Sequence, residues 1–280
     1  MSVLQFTGRM PVPHLLLAGC QFHFYKSITM IDNRNSRNDW QQFAPENIPS
    51  KSSMSQLEQF LDSVSRQLPK KQPLRLLDLG CGNGAISKQL YEKGFSVIGI
   101  DINTNAIEAA QESFAVADEG NPHELKFFAG DIASEKGLLT DAQLFDVVIG
   151  QLVISIIGNV DDRNNLLRNI FKSLEPDGWL YLSASGISDT INNQYQQLYD
   201  ADYELTKERY TYFSRNKKGE VLYTTHHFSE TELQSLISQA GFNRIEIKCN
   251  REVSSRRPDE AAYFYYVTCR KPTSPLSNKQ

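Results

Sequence analysis

Residues 74–85 read Leu-Arg-Leu-Leu-Asp-Leu-Gly-Cys-Gly-Asn-Gly-Ala, an apolar run followed by three alternate glycines, Gly80, Gly82 and Gly84. Residues 74–79 are predicted to form a buried β-strand, and residues 85–93 a helix that ends at Gly94. Glycine permits positive φ and has no Cβ, so a ligand can approach the backbone N–H groups of the turn. The stretch therefore predicts a strand-turn-helix unit that binds a small polar cofactor.

Two acidic residues accompany this turn. Asp78 lies within the first strand, and a second apolar strand, residues 95–100, is followed at once by Asp101. An acid at the end of the second strand commonly binds a ribose diol in such folds. The glycine spacing alone also fits the dinucleotide fingerprint of NAD enzymes. However, a carboxylate at residue 78 repels a pyrophosphate and suits an ammonium group, which favours a nucleoside ligand with a positive charge.

With these residues the chain resembles the class I S-adenosylmethionine-dependent methyltransferases, whose first motif is Asp-x-Gly-x-Gly-x-Gly and whose second strand ends in an acid. The resemblance implies an α/β fold with a Rossmann-like, doubly wound, seven-stranded sheet and an antiparallel terminal strand. It also implies S-adenosyl-L-methionine as the cofactor. The residues that it assigns to cofactor binding are Asp78, Gly80, Gly82, Gly84, Asp101, Ile102, Asp131, Ile132 and Gln151.

The resemblance gives roles to the residues on the adenine and methionine sides. Asp131 would accept a hydrogen bond from adenine N6, Ile132 would offer its backbone N–H to the ring, and Ile102 would pack on the adenine face. Gln151 follows the fourth predicted strand, residues 145–150, where relatives line the methionine and substrate sides. Plainer interpretations stay open, because Asp131 could cap a turn and Ile102 could belong to the core.

The later elements follow the order expected for this family. Residues 161–174 have the periodicity of a helix, and residues 175–178 then resemble the family's L-x-P-G-G segment, with Asp177 in place of the first glycine. Two further strand patterns, 243–249 and 262–268, predict an antiparallel terminal pair. Such a pair separates methyltransferases from dinucleotide dehydrogenases.

An insertion at residues 187–228, here called the cap, is expected to determine which acceptor binds. Aromatic residues at helical spacing precede a predicted hairpin, and this helix plus hairpin would overhang the carboxyl edge of the sheet. Tyr199 and Tyr212 are candidate substrate contacts, although such stripes more often pack a core. His226 and His227 are candidate general bases, and at most one should face the pocket because strand neighbours point to opposite faces. The alternative is a solvent-facing pair.

Three arginines are further candidate substrate contacts: Arg251, Arg256 and Arg257. They follow the predicted strand 243–249, and a strand parallel to the others would bring this loop to the cofactor side. Guanidinium forks suit carboxylates or phosphates, which makes carboxyl O-methylation without a base an option. The alternative is a solvated loop whose arginines pair with neighbouring acids.

The domain organisation follows from these patterns. Trp40 and Phe43 are isolated aromatics in a polar lead-in, interpreted either as part of a lid over the cofactor or as anchors on the core. The predicted units are a weakly ordered N-terminal segment at residues 1–53, a methyltransferase domain at 54–272 with a substrate cap at 187–228, and a disordered tail at 273–280.

Composition limits the partners. A chain of 280 residues with 40% hydrophobic content can bury a full α/β core. The net charge of −4 makes nucleic acid and anionic membrane unexpected as partners. The cysteines lack metal spacing, so no metal is expected, and they fit a reducing cytoplasm. Residues 16–20 resemble a lipobox, but the region before them is a poor signal peptide, so coincidence is favoured.

These patterns predict a cytoplasmic S-adenosylmethionine-dependent methyltransferase that acts on a small-molecule acceptor, with O-methylation preferred over N-methylation. A protein or peptide methyltransferase is the alternative among enzymes. A non-catalytic S-adenosylmethionine-binding regulatory module stays open, because the sequence alone assigns no residue to catalysis. An NAD oxidoreductase is the weakest alternative, and the oligomeric state is left open.

Overall fold

The computed structural model describes residues 36–43, 54–67, 73–114, 123–138, 144–253 and 261–273. The predictions made for residues 16–20, for the tail beyond residue 273, and for Arg256 and Arg257 lie outside the described residues. No helix in the described part of the chain is long and apolar enough to span a lipid bilayer.

A seven-stranded sheet forms the centre of the fold. The strands of the sheet are β1 (Arg75–Leu79), β2 (Ser96–Asp101), β3 (Leu125–Ala129), β4 (Phe145–Gln151), β5 (Leu174–Ser185), β8 (Asn243–Val253) and β9 (Ala261–Arg270). Their order across the sheet is β3-β2-β1-β4-β5-β9-β8. The first five of its strands in sequence run parallel, β9 is antiparallel to β5, and β8 is antiparallel to β9. The antiparallel end of the sheet is therefore confirmed.

Helices cover both faces of this sheet, as the doubly wound prediction requires. Leu76 packs with residues of the helices Met54–Gln67 and Ala85–Glu92 on one face, whereas its neighbour Leu77 packs with those of the helices Val160–Ser173 and Glu230–Gln239 on the other. Parallel strands buried on both faces have continuous apolar runs, which is why residues 74–79 were recognisable. The helices are α1 (Ser36–Gln41), α2 (Met54–Gln67), α3 (Ala85–Glu92), α4 (Thr104–Phe114), α5 (Val160–Ser173), α6 (Asn193–Thr206) and α7 (Glu230–Gln239).

The predicted cap is a helix followed by a hairpin. After β5 the chain forms α6, and then β6 (Thr211–Arg215) and β7 (Val221–His226) pair as an antiparallel hairpin. The α6 residues Tyr195 and Tyr199 form a small buried cluster with Tyr212 of β6. The helix-plus-hairpin insertion is confirmed, and its tyrosines pack inside the cap.

Two predicted strand boundaries are wrong. The fifth strand was predicted to begin after residues 175–178, but β5 begins at Leu174, which pairs with Phe145 of β4. Asp177 nevertheless has φ 68, the left-handed conformation for which the family uses glycine, and its N–H donates to the carbonyl of Lys271 at 3.0 Å. The second error concerns β8, which continues past residue 249 to Val253.

Candidate cofactor and acceptor site

The glycine turn lies between β1 and α3 and has the geometry that only glycine adopts easily. Gly80, Gly82 and Gly84 have φ of 69°, 54° and 77°. A Cβ on Gly84 would lie 2.6 Å from the ring of Phe127, and one on Gly80 would lie 2.9 Å from Val153. Both positions are therefore closed to larger residues by space as well as by backbone conformation.

Asp78 is a buried carboxylate directly below this turn. Asp78 is only 3% exposed, and the hydroxyl of Ser87 in α3 donates a hydrogen bond of 2.6 Å to Asp78 Oδ2. Burial raises the pKa of Asp78 to about 7, the Ser87 hydrogen bond opposes this rise, and the negative charge of Asp101 adds to it. A cationic ligand group near Asp78 would favour its charged form.

Asp101 stands at the carboxyl end of β2 and holds two loops together. Its Oδ2 accepts the N–H of Gly82 at 2.9 Å, and its Oδ1 accepts the N–H of Asn103 at 2.9 Å. Burial raises the pKa of Asp101, and these backbone hydrogen bonds oppose the rise. An ionised carboxylate has about four lone-pair sites, so Asp101 can still accept hydroxyl groups of a ligand.

The loop after β3 carries the residues expected beside an adenine. Asp131 Oδ1 accepts the N–H of Ala133 at 2.9 Å, so Asp131 does cap its turn. Ile132 is buried, and its carbonyl accepts a hydrogen bond of 3.0 Å from Asn169 Nδ2, which also donates to Ser134 O at 2.8 Å. Asn169 of α5 thereby fixes this loop. Ile102, directly after β2, is only partly buried.

Gln151 ends β4 at the same edge of the sheet. It pairs in register with Ser183 of β5, and its Nε2 lies 4.0 Å from Met54 Sδ. The next residue, Leu152, has φ 58, an uncommon conformation for leucine, and its N–H donates to Ser183 Oγ at 2.9 Å. Strained backbone of this kind is frequent at ligand sites.

The hairpin crosses the carboxyl edge of the sheet above these residues. Tyr223 of β7 contacts Trp40 and Phe43, which Asn103 holds beside the end of β2. Four residues later, His227 precedes Phe228, whose N–H donates to Ser185 O at the end of β5. The four residues from Tyr223 to His227 span about 13 Å of strand. The ends of β2 and β5 are about 14 Å apart, because three strand spacings separate them, so the two lengths match. The hairpin therefore covers the ends of β1 and β4.

His227 is enclosed by tyrosines of the cap. Its Nδ1 lies 2.7 Å from the Tyr199 hydroxyl oxygen, its Nε2 lies 3.3 Å from that of Tyr212, and the ring of Tyr195 is 4.9 Å away between centroids. Burial raises the pKa of the Tyr199 phenol, which keeps it a neutral hydroxyl. The predicted alternative of a solvent-facing histidine pair is wrong, since His226 and His227 are 2% and 3% exposed.

His226 belongs to a charged network on the other face of the hairpin. Thr211 Oγ1 donates to Glu208 Oε2 at 2.9 Å, so its oxygen accepts from His226 Nδ1 at 2.7 Å. His226 Nε2 lies 3.0 Å from Glu232 Oε1. Burial raises the pKa of Glu232, but the hydrogen bond and charge of His226, together with Arg163 and the Ser229 cap, lower it below its ordinary value. Both ring nitrogens of His226 thus have partners within this network, which leaves neither of them facing an acceptor.

This network also has a candidate metal-ligand arrangement. Ligand atoms of Glu208, His226 and Glu232 lie within 4.8 Å of one another. However, the fully buried Arg163 forms an ion pair with Glu208. Since a guanidinium already neutralises this carboxylate and both histidine nitrogens have side-chain partners, we interpret the cluster as a structural polar network.

Arg251 does not lie where the sequence placed it. It was predicted in a loop after the strand, but it lies within β8 opposite Tyr263, and its side chain is exposed. β8 runs parallel to β5 as expected, yet it is the edge strand, four strand positions from β1. Neighbouring strands are about 4.8 Å apart, so Arg251 is displaced laterally by about 19 Å from the glycine turn.

Two residues of the site were not predicted. Asn103 and Asn169 both fix loops at the carboxyl edge through side-chain amides that bond to distant backbone carbonyls. An asparagine after the Asp101-Ile102 pair is only a helix-cap signal in the sequence. Asn169 lies on α5 at a position without any motif, so no local pattern could have identified it.

Comparison with known proteins agrees with this geometry. A family model described as a methyltransferase domain matches residues 53–247. A ubiquinone biosynthesis O-methyltransferase of Rickettsia canadensis is 26% identical over 220 residues, which cover 75% of this chain and 83% of that protein. For other curated relatives the chain spans about half of their length, 46% and 49% in two cases.

Solved structures show the same fold. An S-adenosylmethionine-dependent methyltransferase from Methanosarcina mazei has a TM-score of 0.65 at 25% identity, covering 76% of this chain and 98% of that one. The Burkholderia thailandensis 1,6-didemethyltoxoflavin-N1-methyltransferase, solved with 1,6-didemethyltoxoflavin and S-adenosylhomocysteine, has a TM-score of 0.54 at 19% identity and 94% coverage of both chains. At that identity the second likeness concerns the fold alone.

The residues around the glycine turn fit S-adenosylmethionine. Bare backbone at three glycines, a buried acid below the turn and an acid at the end of β2 suit a ligand with an ammonium group and a ribose. The family model covers more than half of the chain. The chain therefore belongs to the methyltransferase domain family, and its residues at the glycine turn fit the cofactor of that family, S-adenosylmethionine.

Proposed function

We propose that this protein acts in the cytoplasm and methylates a hydroxyl oxygen of a small-molecule acceptor, with His227 as the general base. The observation that carries the proposal is the buried His227 ring at the end of β5, between the hydroxyls of Tyr199 and Tyr212. The Rickettsia canadensis relative, an O-methyltransferase by name, supports oxygen as the accepting atom. A reducing compartment suits the free thiols of Cys81, Cys249 and Cys269.

When bound, S-adenosylmethionine supplies an electrophilic methyl group, and the residues of the carboxyl edge would hold it. In this proposal Asp78 balances the charge of the ammonium, Asp101 accepts the ribose hydroxyls and Asp131 accepts from the adenine amino group. Bare backbone comes from Gly80, Gly82 and Gly84. The remaining contacts come from residues that flank the acids and the end of β4: Ile102, Ile132 and Gln151.

The tautomer of His227 decides whether it can act as a base. The contact of His227 Nδ1 with the Tyr199 hydroxyl, at 2.7 Å, is shorter than the contact of Nε2 with the Tyr212 hydroxyl, at 3.3 Å. When Nδ1–H donates to the Tyr199 oxygen, the lone pair is on Nε2, which can then accept the proton of an acceptor hydroxyl. Such a hydroxyl would replace Tyr212, whose oxygen is 3.3 Å from Nε2. Tyr199 would then orient the imidazole, and Tyr212 would contact the acceptor.

A roofed site favours a small acceptor over a polymer. The hairpin covers the edge from Tyr223 to His227, and α6 closes the side next to β6 with Tyr195 and Tyr199. Such a site can enclose a small molecule completely. Enclosure excludes water from the reacting atoms and keeps them aligned. This enclosure gives the peptide alternative less support, because a polypeptide acceptor needs an open groove.

The test is methyl transfer by the His227→Gln variant. A set of small phenols and a matched set of small amines serve as acceptors, with tritiated S-adenosylmethionine as the donor. Loss of a general base lowers a rate by about 10²–10⁴-fold. We therefore expect His227→Gln to lose that much turnover on the preferred phenol and to retain its affinity for S-adenosylhomocysteine. The parent rate should fall at low pH as the imidazole becomes protonated.

The neighbouring variant His226→Gln is the matched control. It removes a donor from the network with Glu232, so it should lower the free energy of unfolding and retain turnover at temperatures where it is folded. Full turnover by His227→Gln would contradict the base assignment. Transfer only to amines or only to peptides would contradict the proposed acceptor class, and positioning without a base would then be the better mechanism.

A further inference from the structure

Asn103 uses every polar atom of its side chain. The residue is 1% exposed and precedes α4, where its Oδ1 accepts the N–H of Ala106 at 3.0 Å. Its Nδ2 donates to the carbonyl of Trp40 at 2.9 Å and to that of Phe43 at 2.6 Å. One asparagine thus caps a helix and fastens a chain segment that lies far away in the sequence.

The helix cap alone does not explain asparagine at this position. Serine, aspartate and asparagine cap helices about equally well, because each offers a side-chain oxygen to the first turn. Asparagine alone among these also offers two N–H donors from the same side chain. The donors of Asn103 go to residues 36–43, so the choice of residue points to a function of that segment.

The segment touches the cap on its other side. The rings of Trp40 and Phe43 lie 4.6 Å and 5.8 Å from that of Tyr223 in β7, measured between centroids. The indole N–H of Trp40 is buried and donates to no acceptor among the described residues. A buried donor without an acceptor is unfavourable, and it is a natural partner for an oxygen of a bound ligand.

The same asparagine is bonded to the cofactor side. Its backbone N–H donates to Asp101 Oδ1, while the other oxygen of Asp101 accepts the N–H of Gly82 in the glycine turn. A hydrogen-bonded path therefore runs from the glycine turn through Asp101 and Asn103 to residues 36–43. From there, aromatic contacts continue to Tyr223 and the hairpin that roofs the site.

We propose that residues 36–43 form a strap that closes the bound cofactor under the hairpin, and that Asn103 is the positioning residue that holds it. The proposal rests on Asp101 as a cofactor-binding carboxylate and is independent of the acceptor. Cofactor bound at Asp101 and acceptor bound beside Tyr223 would be enclosed by the same segment. Loosening the strap should therefore speed cofactor release without weakening the fold of the domain.

The test is Asn103→Ser, which keeps the capping oxygen and removes both amide donors. The protein has two tryptophans, so a Trp179→Phe background leaves Trp40 as the only one. In that background, saturating S-adenosylhomocysteine should protect Trp40 from acrylamide quenching in the Asn103 protein and much less in Asn103→Ser. The dissociation rate of S-adenosylhomocysteine should rise about tenfold, the effect of losing two ordinary hydrogen bonds.

Two further variants keep the test decisive. Asn159→Ser makes the same change at the cap of α5, where the Asn159 side chain accepts the N–H of Asp162. This variant should leave the quenching of Trp40 and the dissociation rate of S-adenosylhomocysteine unchanged. Trp40→Ala removes the strap's aromatic contact without touching the cap of α4 and should speed dissociation comparably. The double variant Asn103→Ser/Trp40→Ala should release S-adenosylhomocysteine little faster than either single variant, because both substitutions act through one segment. Parental dissociation rates in folded Asn103→Ser, or in Trp40→Ala if Asn103→Ser does not fold, would overturn the proposal.

Discussion

Asp78 should make the ligand-free protein less stable as the pH rises. Its native pKa of about 7, against an ordinary value of 3.8, means that the folded state holds a proton that the unfolded state has released. The folded state is therefore favoured below about pH 4 and loses this advantage as the pH rises towards 7. One unit of pKa difference corresponds to about 1.4 kcal/mol, so ionisation of Asp78 lowers the free energy of unfolding by about 4 kcal/mol above pH 7.

The variant that isolates this effect is Asp78→Asn, which is nearly isosteric and cannot ionise. Because part of the cost is already present at pH 5, the gain in unfolding free energy from Asp78→Asn should be about 2.5 kcal/mol larger at pH 8 than at pH 5. Urea denaturation of both proteins at the two pH values measures it. Asp161→Asn, at an exposed position, removes the same charge and should show no such difference.

The same substitution should harm cofactor binding. Since Asp78 lies beside the glycine turn, its replacement removes the counterion of the ligand's ammonium group and should weaken S-adenosylhomocysteine binding by about 1.5–3 kcal/mol. Calorimetry in buffers of different ionisation enthalpy should show proton release on binding at pH 7. Equal unfolding gains at pH 5 and pH 8, or binding without proton release, would refute the assignment of Asp78 as a buried acid that pairs with the ligand.

Two other substitutions test the geometry of the turn. Asp101→Ala should weaken S-adenosylmethionine binding by about 1.5–3 kcal/mol through loss of the ribose contact, and unchanged affinity in calorimetry would remove that assignment. Gly84→Ala should lower the unfolding free energy by about 2–4 kcal/mol, since its Cβ would meet the ring of Phe127 at 2.6 Å. Gly219→Ala, with φ 82 and no atom within 4 Å, should lose only about 1 kcal/mol; equal losses in the two variants would exclude the steric cause.

The parallel half of the fold could be predicted because its local signals agree. The apolar run of β1, the glycine turn and the capped helices each indicate the same unit, and short-range patterns set their bounds to within a residue or two. β8 ran longer than predicted because the apolar alternation of Ile245, Ile247 and Cys249 is broken at Arg251, whereas the pairing with β9 continues to Val253. β5 began earlier because Leu174 pairs with Phe145 across a register shift that no local pattern encodes.

The acceptor side was harder to predict because its contacts are long-range. The adjacent histidines were expected to place at most one ring in the pocket, with a solvent-facing pair as the alternative. Both rings are buried, because α6 covers one face of the hairpin end and the network with Glu232 covers the other. The contact from Asn103 to Trp40 and Phe43 joins segments 60 or more residues apart. Spacing rules describe neighbours in the chain, so they could identify Trp40 and Phe43 as unusual but not find their partner.

We propose that this site methylates a hydroxyl oxygen of a small acceptor. The measurement that tests it most directly uses S-adenosylmethionine with a ¹³C-labelled methyl group, incubated with the protein and the phenols and amines described above. NMR of the product then identifies the atom that carries the label. We expect a methyl ether on a phenol and a large loss of that signal with His227→Gln. A label on nitrogen, or an ether formed equally fast by His227→Gln, would contradict the claim.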